Sequence, residues 1–198
     1  MRTRNVDKEN LVKQKAIELI VKEGLEGFSM NKLAKACKIS VNTLYIYYQD
    51  RDDLIIKIAC EEGKLANDIM TSGFDYNVGF EDGLRVQWQT RYKYFMDKPL
   101  LGSFFEQLQS STYQHHFTPA TNGYKDMVSR FMQNAIDRGE IDDLPLAVYW
   151  ALAFAPLYTL INFHHKGQNP AGEPFKMNDK LLWTTFHRVV KSLKNSTV

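Results

Sequence analysis

Residues Phe28 to Leu54 read F-S-M-N-K-L-A-K-A-C-K-I-S-V-N-T-L-Y-I-Y-Y-Q-D-R-D-D-L, and their pattern decides the fold. Ser29 is a good N-cap, and Met30, Leu33, Ala34 and Cys37 follow at i, i+3, i+4 and i+7, the apolar stripe of a short helix. A tight turn through Lys38 and Ile39 leads to Ser40, a second N-cap, and to a helix that should continue to about Tyr47. Asp50 caps a further helix with Asp53 at its N3 position, where the helix dipole favours negative charge. Upstream, Val12, Ala16, Leu19 and Ile20 give a stripe for a helix from about Asp7 to Glu23, ended by Gly24. Leu33, Ala34, Ile39, Leu44 and Tyr48 then close a core. Val41, Asn42, Thr43, Tyr45 and Tyr47 remain on the outer side. Such an arrangement is a helix-turn-helix, whose second helix offers its N-terminal residues to base edges while the first crosses the phosphate backbone.

Downstream the helical period continues and no alternating strand pattern competes with it. Phe80, Leu84, Trp88, Tyr92 and Phe95 predict a helix over 79–97, ended before Pro99. Leu101, Phe104, Phe105 and Leu108 predict a shorter one, and 111–118 a loop. Tyr124, Met127, Val128, Phe131, Met132, Ala135 and Ile136 form a strong stripe stopped by Gly139. Residues 145–165 read as one apolar helix, 166–174 as a Gly/Pro/Asn loop, and about 177–195 as a last helix carrying Leu182, Phe186, Val189, Val190 and Leu193. The expectation is an all-α chain of about nine helices, with a head over 1–52 and a helical-bundle body over 53–198.

Composition is ordinary for a globular chain, 44% hydrophobic and 24% charged, and the net charge is +2. Its distribution is uneven. Residues 1–51 hold ten Lys/Arg and six Asp/Glu, whereas the remaining residues hold 15 and 17. A basic head on a near-neutral body is the footprint of a protein that meets a polyanion at one end. Cys37 and Cys60 have no C-x-x-C setting, which suits free thiols in a reducing cytoplasm. The first ten residues contain no apolar run that would read as a secretory signal. Leu144 to His165 lacks charge, but Pro145, Pro156 and several polar residues interrupt it, so it reads as a buried or interface helix with no membrane partner. His115-His116 and His164-His165 are adjacent pairs whose side chains point apart on a helix, so no metal or other cofactor is expected. No nucleophile elbow, phosphate loop or HExxH is present, which argues against an enzyme.

The pattern Leu44-Tyr45-x-Tyr47-Tyr48-x-x-Arg51-x-x-Leu54, behind the Phe28-Ser29 pair, the Leu33-Ala34 helix and the Ile39-Ser40 turn, resembles the DNA-binding signature of the TetR family of bacterial transcriptional regulators. The resemblance covers about 45 residues. It implies a homodimer on double-stranded operator DNA and a body that binds a small effector, the family mostly repressing. Carried over by position, it implies that Ser29 and Lys32 contact phosphates and that Ser40 caps its helix and touches phosphate. Val41, Asn42 and Thr43 would meet base edges, Tyr45 and Tyr47 would bond phosphates, and Arg51 would hold a phosphate at the start of the fourth helix. Two positions depart from the pattern. Lys38 stands where glycine is common, at a cost of about 1 kcal/mol if left-handed, while adding a charge towards DNA. Asn42 stands where a small residue is common and could read adenine.

In the body, Ala147, Ala151 and Ala155 recur every four residues and, with Phe186, Val190 and Leu193, would make a two-fold interface. Trp88, Arg91, Tyr92, Phe104, Tyr124, Met127, Phe131, Phe154 and Tyr158 are the candidates for an effector pocket that takes an apolar or aromatic molecule, with Gln87, Arg91 and Asn162 as polar anchors. Aromatic stripes at helical spacing are also what a plain core looks like. A DNA-bound adaptor that binds a protein partner, without a small effector, is the alternative that the sequence leaves open.

Overall fold

The computed structural model describes residues 2–194, with side chains from Asp7 onward, so the expected end of the last helix at 195 lies outside the described residues. Among them there are eleven α-helices, one short 3-10 turn and no strand. The first five are α1 (Arg2–Gly27), α2 (Met30–Cys37), α3 (Val41–Tyr45), α4 (Arg51–Thr71) and α5 (Phe80–Asp97). They are followed by α6 (Pro99–Gln109), α7 (Gln114–Phe117), α8 (Asn122–Asp137), α9 (Leu146–Ala153), α10 (Ala155–Lys166) and α11 (Asp179–Leu193). The all-α expectation holds. The count rises from nine because the expected loop at 111–118 contains α7, and because the single helix expected over 145–165 is two.

That second difference has a clear cause. Pro156 lacks an N–H and sits in the first turn of α10, so the helix stops and restarts at Phe154 (φ −124, ψ −29). The carbonyl of Ala153, released at the break, accepts a hydrogen bond from the Trp88 indole at 2.8 Å. Leu146–Lys166 is long and apolar enough to cross a bilayer by length and composition alone; this break interrupts it.

The chain packs as two compact units. The first comprises residues 1–65 and 98–121. Within it α1 packs on α6 and α2, and α2 on α3. Its core includes Ala16, Ile20, Leu33, Leu44, Leu54, Ile55, Phe104 and Leu108. Gly24 breaks α1 with a positive φ of 76°, as its position predicts. Glu62, the buried acid of this unit, is paired with both Lys13 and Lys98.

The second unit comprises residues 66–97 and 122–198. Its core joins Phe80, Leu84, Trp88, Phe131, Tyr149, Phe154, Leu157, Phe186, Val190 and Leu193. Gly83 lets α5 lie against Phe131: a Cβ there would fall 2.4 Å from two ring carbons. The buried face of α5 runs through 80, 84, 87, 88 and 91, a true helical period, so Gln87 and Arg91 are inside. Following hydrophobes alone leads to Tyr92 and Phe95 instead, and both are half-buried at the edge. Glu140 accepts the Phe80 N–H at 2.6 Å and so caps α5 from a distant part of the chain.

Candidate functional site

The local chemistry of the head is as its sequence dictates. Ser29 Oγ accepts from Lys32 N at 3.3 Å, and Ser40 Oγ accepts from Thr43 N at 3.3 Å while lying 2.9 Å from the Thr43 hydroxyl. Asp50 accepts from Asp53 N at 2.8 Å, and Asp53 in turn accepts from Gln49 N at 2.9 Å, a reciprocal cap. The tight turn between α2 and α3 requires Lys38 to be left-handed, with φ 55 and ψ 41. Its N–H then closes α2.

Helix α3 is five residues long and buries Leu44 alone. Asn42 is exposed, while Val41 and Thr43 are half-buried. Tyr45 is 51% exposed and Tyr47 38% exposed. Tyr48 is half-buried, and burial pushes its hydroxyl up to about 12. The most exposed large hydrophobic side chain among the described residues, Ile46 at 75%, was not singled out from the sequence. It directly follows the last residue of α3 and faces solvent.

Lys32, Lys35 and Lys38 are exposed, and Lys32 Nζ donates to Glu23 at 2.6 Å and to the Gly27 carbonyl at 2.7 Å. Arg51, expected at a phosphate, makes bonds within the protein. Its guanidinium turns inward, donating to the carbonyls of Phe28 and Leu25, to Asp52 and to the Tyr113 hydroxyl. Tyr113 also donates to Asp52, and burial followed by that carboxylate pushes its hydroxyl up to about 12. With four donations made inside the first unit, Arg51 ties the start of α4 to the end of α1 and to Tyr113.

In the second unit the candidates divide. Arg91 is fully buried. Nη1 donates to the Gln87 carbonyl at 2.8 Å, and Nη2 donates to the Tyr124 hydroxyl and faces Gln87 Oε1 at 3.5 Å. The guanidinium carbon lies 4.0 Å from the Phe154 ring centroid and 4.7 Å from that of Tyr124. Tyr158 also bonds this group through its side chain. Trp88, Met127 and Phe131 are buried in the same core, and Tyr92 is half-buried. Phe104 belongs to the first unit, where it packs on Phe105 at 5.6 Å.

The expected interface residues also divide. Ala147, Ala151 and Ala155 are exposed, as are Leu146, Val148 and Leu152. Phe186, Val190 and Leu193, placed on an interface by the sequence reading, are buried in the unit's own core because they form the inward stripe of α11. The exposed residues of that helix include Leu181, Thr184 and Arg188. Among the described residues no three His, Cys, Asp or Glu side chains gather as a metal site. His164 Nδ1 accepts the Met177 N–H at 3.1 Å, a structural role.

Residues 14–58 match the family model for bacterial regulatory proteins, tetR family. The chain is 27% identical over 92 residues to an uncharacterized HTH-type transcriptional regulator from Haemophilus influenzae, a match that covers 46% of this chain and 49% of that protein. It thus spans about half the length of that relative. A TetR family transcription regulator from Marinobacter aquaeolei superposes with a TM-score of 0.75 at 23% identity, covering 98% of this chain and 100% of the other. A transcriptional regulator FadR from Bacillus subtilis, in complex with stearoyl-CoA, does so with a TM-score of 0.70 at 16% identity, covering 95% and 98%.

Proposed function

We propose, for a chain whose helix-turn-helix head belongs to the tetR family of bacterial regulatory proteins and whose whole length has the fold of that family's solved members, that it is a cytoplasmic homodimeric transcriptional repressor released from its operator by a small effector. The observation that carries the DNA reading is α3: a capped helix with only Leu44 buried, presenting Asn42, Tyr45, Ile46 and Tyr47 to solvent amid exposed lysines. A side-chain set so unconcerned with its own core is suited to a groove. Ser29, Lys32, Lys38 and Ser40 are assigned to phosphates, with Tyr45 and Tyr47. Val41, Asn42 and Thr43 are assigned to bases, joined by Ile46, whose branched side chain suits a thymine methyl.

One head reads too little DNA alone, and two recognition helices about 34–36 Å apart would enter successive major grooves. The exposed apolar face of α9, with Ala147, Val148, Ala151 and Leu152, supports a two-fold contact joined by the outer face of α11. Residues 1–52 would then read DNA and 53–198 would sense and dimerise. The effector is assigned to the aromatic core around Arg91, and its coupling to operator release would be typically ~1–3 kcal/mol. Helix α4 is the element assigned to carry it.

Selection of bound duplexes from a random pool, at two salt concentrations, tests this. A palindrome of two half-sites with steep salt dependence is the expected result. Recovery of no preferred sequence would overturn it.

A further inference from the structure

Among the described residues two charged side chains are buried, and they are treated differently. Glu62 in the first unit has two lysines. Arg91 in the second is equally removed from water, yet the groups acting on it are tyrosines and a glutamine, with no carboxylate among the described residues. A guanidinium held dry without a counter-charge is destabilising, and cation–π contact with Phe154 and Tyr124 offsets this only in part.

The polar groups left over around it share one character. Arg91 Nε, Gln87 Nε2 and the Tyr149 hydroxyl are all buried with no hydrogen-bond partner. Gln87 is in direct contact with the guanidinium through Oε1. Tyr149 lies within its electrostatic reach: burial pushes the hydroxyl up, and the Arg91 charge opposes that. The Tyr149 O–H therefore keeps its proton and can donate. Tyr149 packs on Phe154 at 6.1 Å, the ring that Arg91 covers at 4.0 Å, so an uncompensated cation with one unpartnered N–H of its own has two further unpartnered donors on neighbouring residues, the complement of an anion with several lone pairs.

We propose that this cluster is the seat of an organic monocarboxylate, its oxygens on Arg91, Gln87 and Tyr149 and its apolar body among Trp88, Trp150 and Phe154. The inference rests on the effector reading above and specifies the effector's chemistry. A single guanidinium balances a single negative charge, so a phosphate dianion would leave net charge buried. Trp150 and Phe154 pack edge to face at 5.2 Å, and Tyr124 against Trp150 at 5.4 Å, surroundings that reject a second polar end. A neutral apolar ligand would leave the donors as they are.

Calorimetry of the full chain with octanoate and 4-phenylbutyrate, against octan-1-ol, 4-phenylbutan-1-ol and inorganic phosphate, tests this. At least one carboxylate should bind tenfold or more tighter than its alcohol, and phosphate should not bind. Arg91→Met should stay folded with an undiminished Tm, because an apolar side chain of similar length replaces an uncompensated charge, and should lose the acid-over-alcohol preference. Tyr149→Phe should weaken the carboxylate severalfold and leave the alcohol unchanged, which keeps the test open if Arg91→Met does not fold. Equal binding of acid and alcohol, binding of neither acid, or phosphate binding in their place would overturn the site. So would an acid-over-alcohol preference that survives Arg91→Met, or a carboxylate affinity unchanged in Tyr149→Phe. Operator release is scored separately. A carboxylate that binds through Arg91 without weakening DNA binding keeps the site and ends the effector reading; a neutral compound that releases DNA while both acids fail to bind does the reverse.

Discussion

Lys38 is the one non-glycine residue at positive φ among the described residues. Because Cβ crowds the following carbonyl in that region, Lys38→Gly should raise stability by up to about 1 kcal/mol, read as a higher urea midpoint. The same change removes a charge from the DNA side, so the salt dependence of operator binding should become shallower by about one unit of slope. Asn42→Ala should change the preferred base at one position of the half-site, whereas Tyr47→Phe should weaken all duplexes alike. Competition binding on a panel of single-base variants separates the two, and an unchanged preference in Asn42→Ala would remove it from the base-reading set. Caps were legible at this scale because a cap is local: Ser29, Ser40 and Asp50 each bond a backbone N–H three residues on. The inward bonds of Arg51 were not, since apart from its neighbour Asp52 its partners lie at 25, 28 and 113, and nothing within one helical turn announces those three.

At the scale of the element, α5 shows both how far a pattern carries and where it fails. Its existence, its ends and the Phe80, Leu84 and Trp88 part of its buried face were readable from its hydrophobes and Pro99, but that stripe continued to Tyr92 and Phe95, whereas the buried face continues through Gln87 and Arg91, which were named only as polar anchors. A polar residue on a core face defeats a hydrophobic reading at the place where it matters most for binding. The contact of α5 with α8 is set by Gly83 against Phe131. Gly83→Ala gains helix propensity of about 1 kcal/mol but forces the ring to move, and should be net destabilising, with overpacking costing about 1–3 kcal/mol. Adding Phe131→Leu should recover part of the loss; thermal denaturation of the single and double variants checks this. The α9–α10 break was hidden for a related reason: Pro156 was visible, but a proline in the first turn and one that kinks a continuous helix look alike until the Ala153 carbonyl finds Trp88.

For the whole molecule, the carboxylates with resolved shifts all move the same way. Lys32 holds Glu23 below its usual range, Lys57 and the Gln49 N–H hold Asp53, Lys194 holds Glu81, and Arg138 with the Phe80 N–H holds Glu140. A group whose folded value is depressed contributes stability above its unfolded value, about 4, and loses it as pH falls through the folded value. Urea midpoints should therefore be flat in this respect from pH 7 to 5 and fall below about pH 4. In Glu140→Gln that fall should be smaller, and the midpoint at pH 7 lower. The all-α class, the order of elements and the head's pattern were readable along the chain. The make-up of the first unit was not, because a chain that leaves a unit at residue 65 and rejoins it at 98 gives no local sign of returning.

That return has a hereditary consequence. Tyr113 and α6 complete the packing of a unit whose other part ends some thirty positions earlier. A single genetic crossover between residues 65 and 98 would deliver α1 with a foreign partner on its α6 side and Arg51 without its tyrosine. An exchange at that apparent seam would therefore divide a packed unit, whereas one after residue 121 would keep both of its segments together.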